Sequence, residues 1–86
     1  MAADPREGGV ARNVLEYLAT EMADDPDAVE VSASTWRSRV SLSLSVAPND
    51  MGKVIGRKGR TAQAIRTVVR AAGARDNLDI HVDIVD

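Results

Sequence analysis

Seven consecutive residues, Val54-Ile55-Gly56-Arg57-Lys58-Gly59-Arg60, combine the features needed to hold a polyanion. Gly56 and Gly59 let the backbone turn tightly and approach a ligand with no Cβ in the way. Arg57 and Lys58 lie between them, and Lys53 and Arg60 flank them, so positive charge surrounds the turn. A helix-capable segment follows, and the amides that open a helix favour an anion at that end. Val54 and Ile55 add an apolar strip beside the charge. This combination suits a phosphate backbone gripped by the loop. Arg66 and Arg70, four residues apart, extend the positive surface along the next helix.

The charge distribution supports that reading. The net charge is −2 over 86 residues, but it is strongly segregated. From Lys53 to Arg75 there are seven basic residues and no acidic one, while the acids concentrate before residue 31 and after residue 75. A phosphate responds to the local field, so an acidic overall pI does not argue against it.

Other chemistries fit poorly. No GxxxxGK[ST] or GxGxxG spacing occurs, which argues against ATP or NAD binding. There is no cysteine, so no disulfide and no thiolate metal site. His81 is the only histidine and falls on the polar side of an alternating segment. Asp24 and Asp25 sit where a helix ends rather than in a catalytic pair. No enzyme, cofactor or metal site is expected. Tyr17 and Trp36 are the only aromatics, so stacking on an aromatic platform is not the main binding mode. Trp36, beside Arg37 and Arg39, leaves open a further contact with RNA or a partner. No apolar run approaches the roughly 18 residues of a membrane span.

The elements that must position the loop follow from periodicity. Residues 1–9 read as a flexible leader without signal-peptide character, although Asp4-Pro5-Arg6-Glu7 has a capping-box pattern. Val10, Val14, Leu15, Leu18 and Met22 mark one face of a helix ended by Pro26. Val29, Val31 and Ala33, then Val40, Leu42, Leu44 and Val46, alternate with polar residues and predict a hairpin turning near Trp36-Arg37-Ser38. Pro48-Asn49-Asp50 ends the second strand and is expected to cap a short helix bearing Met51, Val54 and Ile55. After the glycine loop, Thr61 is the expected cap of a helix with Ala62, Ile65, Val68, Val69 and Ala72 inside. Gly73 or Asn77 is expected to end it. Leu78, Ile80, Val82 and Ile84 alternate in a last strand. Residues 10–86 read as a single small domain, too modest in core for a second copy packing on it to be surprising.

Three stretches match a known pattern: Asp25-Pro26-Asp27-Ala28-Val29-Glu30-Val31, then residues 46–61 from Val46 through the glycine loop to Thr61, then Ala64-Ile65-Arg66-Thr67-Val68-Val69-Arg70-Ala71-Ala72. In these and in the element order the sequence resembles the small bacterial KH-domain RNA-binding proteins of the KhpA family. The resemblance implies an α+β fold, the type II KH domain, ordered α-β-β-α-α-β with a three-stranded sheet and helices on one face. It implies a GxxG loop, here Gly56-Arg57-Lys58-Gly59, that clamps the backbone of about four nucleotides. Lys53, Val54, Ile55, Gly56, Arg57, Lys58, Gly59, Arg60 and Arg66 are the expected RNA contacts. Family members bind single-stranded RNA with little sequence preference and are described as RNA chaperones. They form homodimers, also pair with the larger KH-containing protein KhpB (Jag), and are linked to cell elongation and division. A cytoplasmic setting is expected. Two alternatives stay open: a ribosome-assembly factor on the same fold, against which the intact GxxG counts, and a BolA-like protein-interaction module without RNA affinity.

Overall fold

The computed structural model describes residues 7–85. Helix α1 (Gly9–Met22) leads into a hairpin of β1 (Glu30–Trp36) and β2 (Arg39–Ser45). The short helix α2 (Met51–Ile55), the glycine loop and helix α3 (Arg60–Ala74) follow, and β3 (Asp79–Ile84) closes the domain. The capping-box pattern rests on residues 4–6, outside the described residues. Glu7, just inside them, accepts a 2.5 Å hydrogen bond from the Thr35 hydroxyl.

The sheet order is β1-β2-β3, with β2 in the centre. β1 runs antiparallel to β2, with Val31 opposite Leu44 and Trp36 opposite Arg39. β3 runs parallel to β2, with Val40 opposite Ile80 and Leu42 opposite Val82. Parallel neighbours need a crossover connection. Here α2, the glycine loop and α3 make that crossover.

Strand periodicity then sorts the two faces of the sheet. Val40, Leu42, Leu44, Ile80 and Val82 point inward, and with Leu15, Val54, Ile65 and Val69 they form the core. All three helices therefore cover that face. The other face carries Ser32, Ser34, Ser41, Ser43 and Ser45 with Asp79, His81 and Asp83. Both outer edges are blunted by an arginine from a helix. Arg12 donates to the Val31 carbonyl at 2.9 Å on β1, and Arg66 donates to the Val82 carbonyl at 3.2 Å on β3. Free edges invite unwanted strand pairing, and such contacts oppose it.

The helix faces differ in detail from the periodic reading. The buried residues of α1 are Ala11, Leu15 and Ala19, while Val14, Leu18 and Met22 flank them. Val10 is 55% exposed and Val68 is 50% exposed, so neither is core. In α1 small alanines face the core where the helix packs closely, and the branched residues fall to the sides. Gly73 does not end α3 but lies buried within its last turn. A Cβ there would come 2.1 Å from Ile80 Cγ1, so glycine lets the helix sit directly on β3. The chain reverses at Asn77, which adopts φ 60, and Leu78 N–H donates to the Gly73 carbonyl at 2.9 Å.

Candidate nucleic-acid interface

The site starts at a buried carboxylate. Asp50 is only 1% exposed and accepts hydrogen bonds from the backbone amides of Asp24 at 3.1 Å and Asp25 at 3.0 Å. It makes no side-chain cap on α2, contrary to the sequence expectation. It instead ties the segment after α1 to the start of α2. Sequence reasoning missed this role because the donors are backbone amides, about 25 residues away. These two amides, Asp25's first and Asp24's next, hold the Asp50 carboxyl below its ordinary 3.8 despite burial.

Lys53 belongs to the same cluster. Its ammonium bridges the Asp24 carboxylate and lies 3.8 Å from Asp50. The hydrogen bond to Asp24 raises the Lys53 pKa above its ordinary value. The structure thus places this predicted contact against two carboxylates rather than as a free cation. Val54, one residue on, is fully buried, whereas Ile55 is 38% exposed at the surface before the loop. Of the apolar pair, only Ile55 is available to a ligand.

The loop then turns by three left-handed residues. Gly56 takes φ 74, ψ 174, a region open essentially to glycine, and its N–H closes α2 on the Gly52 carbonyl at 2.8 Å. A Cβ on Gly56 would meet the Thr61 side chain. Lys58 takes φ 56, ψ 25 and Gly59 takes φ 72, ψ 13. A left-handed lysine is unusual, since a side chain there costs about 1–2 kcal/mol. A Cβ on Gly59 would meet nothing within 4 Å, so its conformation, not crowding, calls for glycine.

Gly59 is also the N-cap of α3, and no side chain caps that helix. Thr61, the expected cap, lies inside the first turn and packs on Gly56 instead. The Arg60 amide donates to the Arg57 carbonyl, while the amides that follow it at the start of α3 have no side-chain cap and suit an anion. Arg57, Lys58 and Arg60 are exposed, with no carboxylate paired to them among the described residues. Arg66 is half-buried along the edge of β3, held by its bond to Val82. Six of the nine predicted residues, 55–60, thus share one surface. Lys53 sits to one side, Val54 beneath, and Arg66 farther along α3.

Among the described residues no three His, Cys, Asp or Glu side chains are placed to hold a metal, and no helix is long and apolar enough to cross a membrane.

Comparison with known proteins agrees with this geometry. The model of the KhpA/KhpB KH domain matches residues 12–84. The RNA-binding protein KhpA of Clostridium acetobutylicum is 47% identical over 74 residues, covering 86% of this chain and 99% of that protein. KhpA of Streptomyces coelicolor is 49% identical over 72 residues, 84% of this chain and 87% of that one. KhpA of Mycobacterium tuberculosis is 44% identical over 77 residues, 90% and 92% of the two chains. Among solved structures, Era of Aquifex aeolicus aligns with 98% of this chain at a TM-score of 0.64. The aligned part is 33% of Era, and at 16% identity it speaks for the fold only. The mixed three-stranded sheet, the helices on one face and the glycine loop in the crossover are those of a type II KH domain. The chain belongs to the KhpA/KhpB KH-domain family, a family of binding proteins rather than enzymes.

Proposed function

We propose that this protein binds single-stranded RNA with little sequence preference, in the manner of an RNA chaperone, by clamping the phosphate backbone on Gly56-Arg57-Lys58-Gly59. One observation carries the reading. An exposed Arg57–Lys58 pair, without a carboxylate partner among the described residues, is held on a left-handed turn directly ahead of an α3 N-terminus that no side chain caps. The relatives' name, RNA-binding protein, supports it. Phosphates lie against the amides opening α3, with Arg57, Lys58 and Arg60 around them. Ile55 faces the bases over the buried Val54. Arg66 borders the groove at the β3 edge, and Lys53 acts by fixing α2 to Asp24 and Asp50. The setting is cytoplasmic, and the process served is cell elongation and division.

Binding as a homodimer, or with a larger KhpB-type protein, belongs to the same proposal. A shallow apolar groove between α1 and α3 is lined by Val10, Val14 and Ala72, with Arg75 and Asp76 at its rim. Opposite charges beside an apolar strip suit a two-fold pairing. Sedimentation equilibrium at micromolar protein reads this directly, and a monomer throughout rejects it.

The test of the main reading is the double variant Arg57→Asp/Lys58→Asp. Fluorescence anisotropy should show loss of binding to a single-stranded oligonucleotide, while circular dichroism stays that of the native fold. Unchanged affinity in the folded variant rejects the loop as the clamp.

A further inference from the structure

The hairpin tip carries a group that the loop mechanism does not use. Trp36 ends β1 and is 73% exposed, the most exposed of the large apolar side chains among the described residues. Its ring is covered on one side by the Arg37 guanidinium, 5.7 Å from the ring centroid. Arg37 holds φ 59, a left-handed conformation that glycine or asparagine would take with less strain. Across the sheet, Trp36 pairs with Arg39, and Arg39 with Asp79. The Arg39 Nε–Asp79 contact of 3.2 Å offsets the one carboxylate in that row.

Arg66 and Arg70 lie between the glycine loop and the row of residues that ends at the tip. α3 starts at the loop and runs toward the β3 start, because β3 returns along it after the turn at 75–77. Arg66 reaches the β3 edge at Val82. Arg70 is one helical turn farther along the same face, about 5.4 Å toward the β3 start. Asp79 opens β3 there, in the row that contains Arg39 and Trp36. An exposed indole already backed by one guanidinium presents a free face at the end of this row. Bases stack on such a face regardless of their identity, and neighbouring arginines add cation–π attraction and charge.

We propose that Trp36, with Arg37 and Arg39, is a second RNA contact, which takes an unstacked base of a strand already held at Gly56–Gly59. It rests on the RNA-binding reading above, and adds that a strand runs from the loop along Arg66 and Arg70 to the hairpin tip. The distance sets the strand length. α3 rises about 22 Å over its length at 1.5 Å per residue. The row from β3 across β2 to β1 adds two strand spacings, about 10 Å. At about 3.4 Å per stacked nucleotide that is nine or ten more than the four held at the loop, hence about fourteen.

Trp36 is the only tryptophan in the chain, so its emission reports this contact without labelling. Oligouridine strands of four and about sixteen nucleotides are titrated into the protein, with anisotropy of a labelled strand and tryptophan emission followed in parallel. The long strand should quench the emission, and the tetranucleotide should bind without quenching it. Trp36→Ala should weaken the long strand about tenfold and leave the tetranucleotide unchanged, and Trp36→Phe should restore most of the loss. Unchanged emission at saturation with the long strand overturns the proposal and leaves the tip to a protein partner. If neither strand binds by anisotropy, the RNA-binding reading itself fails, and this contact with it.

Discussion

Gly56 and Thr61 leave no room between them for a methyl group. A Cβ on Gly56 would lie 2.2 Å from Thr61 Oγ1 and 3.0 Å from the Thr61 backbone nitrogen. Gly56 at φ 74, ψ 174 also occupies a backbone region nearly closed to other residues. Gly59, by contrast, has open space around it. The two glycines of the loop should therefore differ in urea denaturation. Gly56→Ala should lose about 3 kcal/mol or more, because strain and a backbone clash add. Gly59→Ala should lose only about 1–2 kcal/mol, the left-handed penalty alone. Equal losses would contradict the contact with Thr61.

Lys58 separates charge from conformation. Asparagine tolerates the left-handed region better than lysine. Lys58→Asn should leave the melting temperature unchanged or slightly higher, yet bind RNA more weakly. A variant that loses stability and affinity together would make Lys58 a structural residue.

Phosphate contacts give a salt dependence. For about four nucleotides on the loop, the slope of log affinity against log salt should be about −2 to −3. Arg57→Asp/Lys58→Asp should flatten it. A flat response in the native protein would point to a partner held without phosphate contacts.

Asp50 and Lys53 set opposite limits on the pH range of the loop's support. The Asp50 carboxyl titrates below 3.8 when folded, so the stability it contributes is fully present above 3.8 and is lost as pH falls through its lowered pKa. The Lys53 ammonium titrates above 10.5 when folded, so its contribution is present below 10.5 and is lost as pH rises through the raised value. Asp50→Asn should flatten the acid limb of a melting-temperature profile, and Lys53→Met the alkaline limb. Profiles unchanged in shape would show that neither group carries the linkage.

Gly73 and Ile80 offer a packing test. A methyl group 2.1 Å from Ile80 Cγ1 must push α3 off β3 or force Ile80 from its rotamer. Gly73→Ala should destabilise by about 1–3 kcal/mol. In an Ile80→Ala background, which lacks the Cγ1 that the methyl would strike, Gly73→Ala should cost less, giving a non-additive double-mutant cycle.

Alternation made the strands readable: Val40, Leu42 and Leu44, then Ile80 and Val82, occupy the core as their period of two requires. The loop was readable too, because glycines and cations announce it by type. What the sequence hid were contacts between distant backbone and side chains. Asp50 reads as a cap for its own helix, but its partners are the amides of Asp24 and Asp25. Thr61 reads as a cap and turns out to wedge against Gly56. Val10 and Val68 read as core because hydrophobicity counts for more than size in a periodic pattern, whereas close packing placed Ala11, Ala19 and Gly73 there. The parallel pairing of β3 with β2 has no signal in either strand alone.

That parallel pairing makes the glycine loop part of a tether between two adjacent strands that are already locked in register. Lengthening such a segment costs little closure entropy, about 0.6 kcal/mol for each doubling. The sheet would keep its register while the residues between Gly56 and Gly59 were exchanged for longer or differently charged sequences. On the proposed reading the domain is a frame with a replaceable grip, whose ligand preference can drift at residues 57 and 58 while the fold stays where it is.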